Sequence, residues 1–330
     1  MRRQWPLLLM LLLVGCERAR PRVVLYCAQD QEFAEGILAD FTKQTGITVD
    51  VRFDTESTKS VSLFEALRRE TGKPRCDVFW NNEILHTLRL DEEGLLAPYA
   101  SPGAADFPAW THGPRQTWQA FAARARILIV NDQVPKAERP RNVGDLLQPK
   151  WKGKVAMAKP MFGTTATHMA CLAAKLGLTN ADQIFAQLKE NVAVLAGNKD
   201  VAEAVAAGRY LVGLTDTDDA IIEVRRGLPV IIIYPDQDGV GTLFLPNTLS
   251  LIHGCPNPEA GKKLIDYLLS PGVEKALAEG PSAQIPLNPT VEAKLDVATP
   301  KTMKAMEVDF AQAAKEWEPT QAKLRALFAR

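Results

Sequence analysis

Apolar positions fall into two recurring patterns along the chain. Short continuous runs, such as Val23-Val24-Leu25-Tyr26-Cys27, suit strands buried on both faces of a parallel sheet. Between them, apolar residues recur three and four apart, as at Phe33, Ile37, Leu38 and Phe41, which is the period of a helix packed by one face. Gly46 stops that helix, and Ile47 to Phe53 alternates as a second strand. A right-handed strand–helix–strand crossover puts the turn after the first strand at the carboxyl edge of the sheet. The alternation continues with strands over 77–80, 155–158, 210–214 and 229–234. Helices are predicted over 85–90, 169–176, 185–188, 198–207, 258–269 and 273–279. Closing helices carry Met303, Met306, Phe310, Trp317, Leu324 and Leu327. Two extended runs are longer, 118–130 and 239–253, and each suits a strand that leaves one compact unit for another. The pattern predicts an α/β protein of two lobes, one from 23–124 plus 243–297 and the other from 125–242 plus 298–330.

Length agrees, since 330 residues exceed one ordinary core. Basic and acidic side chains balance at 39 each, and no basic stripe with interleaved aromatics appears, so nucleic acid is not an expected partner. The first residues read as an address. Arg2-Arg3, the leucine-rich run 7–13 and Val14-Gly15-Cys16 predict a signal peptide over 1–15. A cysteine directly after Val-Gly predicts cleavage before Cys16 and lipid on its sulfur, with 16–22 as the tether. The expected product is a monomer outside the cytoplasmic membrane, in the periplasm or on the extracellular face. Cys27, Cys76, Cys171 and Cys255 match no metal spacing and are expected to be mostly small buried residues.

The densest chemistry is Thr215-Asp216-Thr217-Asp218-Asp219, between a predicted strand and a helix from Ala220. Such a turn lies where open sheets bind ligands. One Asp would suffice to cap the helix; three in four residues point to a ligand with positive charge. Asp30 stands in the first carboxyl-edge turn, as cap, ligand group or both, and Asn82-Glu83 in the third. Gly163-Thr164-Thr165 opens a helix, which suits either an anion on free amides or a hydroxyl cap. His168, a turn further on, reads as a packed or capping side chain.

Several short stretches carry a family resemblance by their order and spacing. They are Phe41-Thr42-Lys43-Gln44-Thr45-Gly46-Ile47, Asp77-Val78-Phe79, Pro149-Lys150-Trp151-Lys152-Gly153-Lys154 and Ala283-Gln284-Ile285-Pro286-Leu287. The mature chain resembles the ferric-ion-binding solute receptors of ABC importers. That resemblance implies the two-lobe periplasmic-binding-protein fold, with an interlobe cleft and two crossing strands. It also implies closure on a small ligand and delivery to a permease with its ATPase. It implies no cofactor and no catalysis. The family's iron ligands are a histidine, a glutamate and two tyrosines. Here those positions fall on Asp30, on Asn82 beside Glu83, and on Asp218-Asp219. The family's companion-anion site falls on Gly163, Thr164, Thr165 and Asn198, and Arg124 matches an arginine that reaches the anion in some members.

Two ligands follow. One is iron(III) or another hard metal cation, with a companion anion, held by Asp30, Glu83, Asp218 and Asp219, with Asp216 also lining the cleft. The other is a phosphorylated or phosphonate zwitterion, such as an aminophosphonate. Its ammonium would meet the aspartates and its anion the Gly-Thr-Thr amides. A further alternative on the same fold is a thiaminase-like enzyme with Cys27 as nucleophile. A receptor that senses without transport remains open.

Overall fold

The computed structural model describes residues 20–54 and 59–329, so the expected signal peptide and Cys16 lie outside the described residues. The chain begins with β1 (Arg22–Cys27), α1 (Gln31–Thr45), β2 (Thr48–Phe53), α2 (Val61–Arg69), β3 (Val78–Asn81), α3 (Leu85–Glu92) and β4 (Leu96–Ala97). The long strand β5 (Gln119–Asn131) follows. Then come β6 (Val155–Ala158), α4 (Gly163–Leu176), α5 (Leu178–Asn191), β7 (Val192–Leu195), α6 (Asn198–Ala206), β8 (Val212–Asp216), α7 (Thr217–Arg225) and β9 (Val230–Ile233). The chain returns through β10 (Phe244–Ile252) and ends with α8 (Pro258–Leu268), α9 (Pro271–Glu279), α10 (Phe310–Lys315) and α11 (Trp317–Phe328).

The strand order is β2-β1-β3-β10-β5-β8-β6-β7, with β4 on β10 and β9 on β5. β1 pairs in parallel with β2 and β3, and β6 with β7 and β8; the inner strands β3, β6 and β8 are buried throughout, while β2 and β7 at the two ends of the sheet are partly exposed. β5 changes partner midway. Its first half, through Ala125, pairs antiparallel with β10, and from Arg126 onward it pairs with β8 and β9. A register shift on β10 between Pro246 and Asn247, with Ala122 on β5 at φ 38°, marks a bulge just before that change. The buried carboxylate of Glu274 holds the bulge by accepting from the Ala122 amide at 2.8 Å. This is the two-lobe periplasmic-binding-protein architecture with two crossing strands.

Several boundaries differ from the sequence pattern: β10 starts only at Phe244, α5 runs over Leu178–Asn191, and β7 is not among the predicted strands. The strand before the acidic turn runs on to Asp216, and α7 starts at Thr217 rather than Ala220, so Asp218 and Asp219 belong to the first helical turn. Acidic residues suit that position because the first-turn amides carry partial positive charge. The closing helices begin only at Phe310. Met303 and Met306 precede them in irregular chain, where Thr242 and Met306 pair backbone to backbone. Among the described residues no helix is long and apolar enough to cross a membrane.

Candidate functional site

The ends of β1, β3 and β8, with the N-termini of α4 and α6, converge on two arginines of β5. Arg124 and Arg126 are two residues apart, hence on one side of the strand. Both are essentially fully buried. A buried guanidinium needs a counter-charge and hydrogen-bond acceptors, and the fold supplies both.

Arg126 lies directly opposite Asp216 across the β5–β8 ladder and donates to its Oδ1 at 2.8 Å. Its Nη1 also reaches Thr164 Oγ1 at 3.2 Å and Asn198 Oδ1 at 3.1 Å, and its Nη2 reaches Thr165 Oγ1 at 3.2 Å. The other oxygen of Asp216 accepts from Thr164 Oγ1 at 2.5 Å and from Asn198 Nδ2 at 3.0 Å. The Thr164 and Thr165 hydroxyls therefore face this network and do not cap their own helix, whose N-cap residue is Phe162. Their first-turn amides have no preceding helical carbonyl to bond and remain anion donors by position. A narrow cavity of about 10 Å³ opens beside them, between Lys59, Lys159, Phe162, Gly163, Gly197 and Asn198.

Arg124 gathers partners from further apart in the chain. Its Nη1 donates to the Asn82 carbonyl at 2.9 Å, and its Nη2 to Gln29 Oε1 at 2.7 Å and Asn247 Oδ1 at 2.8 Å. Its Nε faces Asp218 Oδ2 at 3.0 Å. The carboxylates around it hold the Arg124 guanidinium charged against the cost of burial. Burial pushes Asp218 up to about 6; Arg124 opposes that rise, and the nearby Asp216 and Asp30 add to it. Asp218 Oδ1 and Gln29 Nε2 are buried with no hydrogen-bond partner among the described residues.

The remaining candidates separate by what they touch. Asp30 is the N-cap residue of α1, but its side chain makes no cap bond; it pairs with Lys59 Nζ at 2.5 Å. Burial would raise Asp30, yet the Lys59 ammonium beside it, with Arg124 and Lys199 beyond, holds it below the usual carboxylate range. The Lys59 carbonyl accepts from the Gly163 amide at 3.0 Å, tying this cation to the start of α4. Glu83 is completely buried and already accepts four bonds, from Asn81 Nδ2, the Leu85 and His86 amides and Thr167 Oγ1. Oxygens of Asp216, Asp218 and Asp219 lie within 4.8 Å of one another, a spacing that suits a metal ion. His168 is packed and fully buried, and burial beside Arg126 lowers it to about 3. Cys27 is buried without exposure, and burial pushes its thiol well above the range where a thiolate forms. Cys76, Cys171 and Cys255, the other cysteines among the described residues, are likewise buried and free.

Sequence reasoning took the acidic turn as a site for positive charge. The cations now against Asp216 and Asp218 are the chain's own Arg126 and Arg124. It missed Arg126, Lys59, Gln29 and Asn247. For Arg126 a signal existed: Arg-Ala-Arg puts two charges at strand period inside a thirteen-residue element that is buried throughout. Gln29 and Asn247 gave none, because an amide in a turn or strand carries no pattern. Of the chain's five tyrosines, Tyr26 is spent on Glu70, Tyr99 on Asp266 and Tyr234 on the Ala298 amide. No phenol is hydrogen-bonded to the aspartate cluster among the described residues. A larger, apolar cavity of about 310 Å³, lined by Pro108, Trp110, Leu287 and Leu295 among others, shares no residue with the site.

Comparison with known proteins gives the fold and the family. The chain is 26% identical over 285 residues to iron uptake protein A1 of Synechocystis, covering 81% of this chain and 78% of that protein. It is 28% identical over 245 residues to a putative 2-aminoethylphosphonate-binding periplasmic protein of Salmonella typhi, covering 72% and 69%. The solved periplasmic binding protein AfuA of Actinobacillus pleuropneumoniae, with exogenous fructose-6-phosphate bound, matches the fold with a TM-score of 0.84. Its identity is 22%, over 94% of this chain and 99% of that one. The bacterial extracellular solute-binding protein model matches residues 86–316, and this chain belongs to that family, with an Fe(3+)-binding periplasmic protein of Serratia marcescens among its relatives.

Proposed function

We propose that this solute-binding protein captures a small phosphorylated or phosphonate zwitterion between its lobes and hands it to an ABC permease and ATPase. One observation carries the reading: Asp216 and Asp218 each face a buried arginine, and among the described residues no phenol joins them. A bare hard cation set among these carboxylates would meet two guanidiniums at close range, which disfavours it. A zwitterion meets less of this repulsion, because it brings a single positive charge and its own anion. Its anion would dock at the α4 amides of Thr164 and Thr165, beside Asn198 and Lys59. Its ammonium would turn toward Asp218, Asp219 and Asp30. The name of the Salmonella relative supports this class, and the sugar phosphate bound in the AfuA structure supports its anionic group alone.

Calorimetric titration tests it. The purified protein is expected to bind 2-aminoethylphosphonate and to ignore ferric citrate. Tight iron binding with no phosphonate binding would overturn the reading. One observation favours iron(III) as the alternative cargo, the 4.8 Å clustering of three carboxylates. Its signature would be a stoichiometric metal lacking the visible phenolate charge-transfer band.

The lobe boundaries near 124–125 and 242–243 are part of the same proposal. So is lipid anchoring through Cys16, which metabolic labelling with a radioactive fatty acid would report. Permease and ATPase genes beside this one would favour import over sensing alone.

A further inference from the structure

The two oxygens of Asp218 have different surroundings. Oδ2 stands 3.0 Å from Arg124 Nε, on a guanidinium whose Nη atoms are already held by Asn82, Gln29 and Asn247. Oδ1 is buried and accepts nothing among the described residues. The Gln29 amide, whose oxygen accepts from Arg124, likewise leaves its buried nitrogen unpartnered. A buried polar atom without a partner is costly and points to a ligand group that completes it. We propose that Asp218 is a specificity-determining residue of the binding site. Through Oδ2 it is a built-in counter-ion that keeps external anions off Arg124. Through Oδ1 it accepts an N–H from the solute.

The consequence is a division of the site. Arg124 has the charge and burial of an anion receptor, but the chain occupies it with a carboxylate of its own. A solute's anionic group is left with the α4 end, and the group next to Asp218 must be a donor. This assignment deepens the zwitterion reading and rests on it only for the identity of the solute. Solutes with an anion and a nearby ammonium are accepted, and those with a second anion in the ammonium's place are refused.

Removing the carboxylate tests this by gain of binding, which misfolding cannot imitate. Asp218→Ala leaves a buried guanidinium facing a void of carboxylate size, and formate fits that void. Formate is expected to raise the Tm of Asp218→Ala by roughly 2–4 °C at ten times its Kd. It should leave the wild type and the Arg124→Met/Asp218→Ala double variant unmoved. In parallel, the wild type should prefer 2-aminoethylphosphonate over ethylphosphonate by about tenfold or more, one charge-assisted contact, and Asp218→Ala should lose that preference. Asp218→Asn, which keeps the shape, should lose the preference without gaining formate binding. The proposal is overturned if formate stabilises all three proteins alike or none of them. If formate rescue holds while the wild type binds neither phosphonate, the counter-ion assignment stands and the zwitterion reading falls.

Discussion

Arg124 and Arg126 share a strand, a face and a depth of burial, and each faces an aspartate. Their surroundings differ. Among the described residues, every hydrogen-bond partner of the Arg126 guanidinium comes from β8, α4 or α6, elements gathered around one half of the sheet. Asp216, Thr164 and Asn198 also bond one another, so the group closes on itself. Arg124 instead joins the turns after β1 and β3, strand β10 and the first turn of α7. Its aspartate keeps one oxygen unspent. The same residue pair serves as scaffold in one place and as a junction in the other. What distinguishes them is how many independent elements must be in position for the pair to form.

The largest expected effect separates the two directly. Arg126→Ala leaves Asp216 as a buried charge without its counter-ion and is expected to cost about 3–5 kcal/mol in urea unfolding. Arg124→Ala should cost less, about 2–3 kcal/mol, because Asp218 already titrates near 6 and can take up a proton. Equal costs would break the distinction. Next in size, Asp216→Asn should weaken phosphonate binding by about tenfold, or about 1.4 kcal/mol by calorimetry. The cause is loss of the acceptor that orients Arg126, Thr164 and Asn198 together. Unchanged affinity would show that the cradle forms without it.

A pH series sharpens the contrast further. Burial raises Asp218 from 3.8 to about 6, so the folded protein holds that proton more tightly than the unfolded chain. Its contribution to stability is complete below about 3.8 and is lost as pH rises through about 6. Asp30, held low by Lys59, has the opposite slope, contributing above its unfolded value and losing that as pH falls. The wild-type curve minus the Asp218→Asn curve should therefore decline between about pH 4 and 6, whereas the corresponding Asp30→Asn difference curve should fall as pH is lowered. The smallest effect is Thr167→Val. It removes one of four donors to Glu83 and should cost about 1 kcal/mol by thermal unfolding. A much larger loss would make Glu83 a second junction rather than a satisfied cap.

Much of this was legible beforehand. The alternation of β1, α1 and β2, the length of β5 and the return through β10 all follow from apolar spacing, because burial on one face or two leaves a period in the chain. The acidic turn was legible too, since three carboxylates in four residues exceed what a cap requires. Its neighbours were not. Arg126 and Asp216 are 90 positions apart and Arg124 and Asp218 are 94 apart, and nothing local says that β5 will lie beside β8. The start of α7 at Thr217 also escaped the pattern, because polar first-turn residues carry no helical period.

By itself the sequence determined the fold class, the places where strands end in chemistry, and the presence of opposite charges in comparable number. These follow from periodicity and composition, which are properties of the chain alone. Which charges neutralise which was settled by the folded packing. Pairing depends on distance and burial, and a carboxylate that would hold a cation in water becomes the counter-ion of an arginine once both are shut away from it.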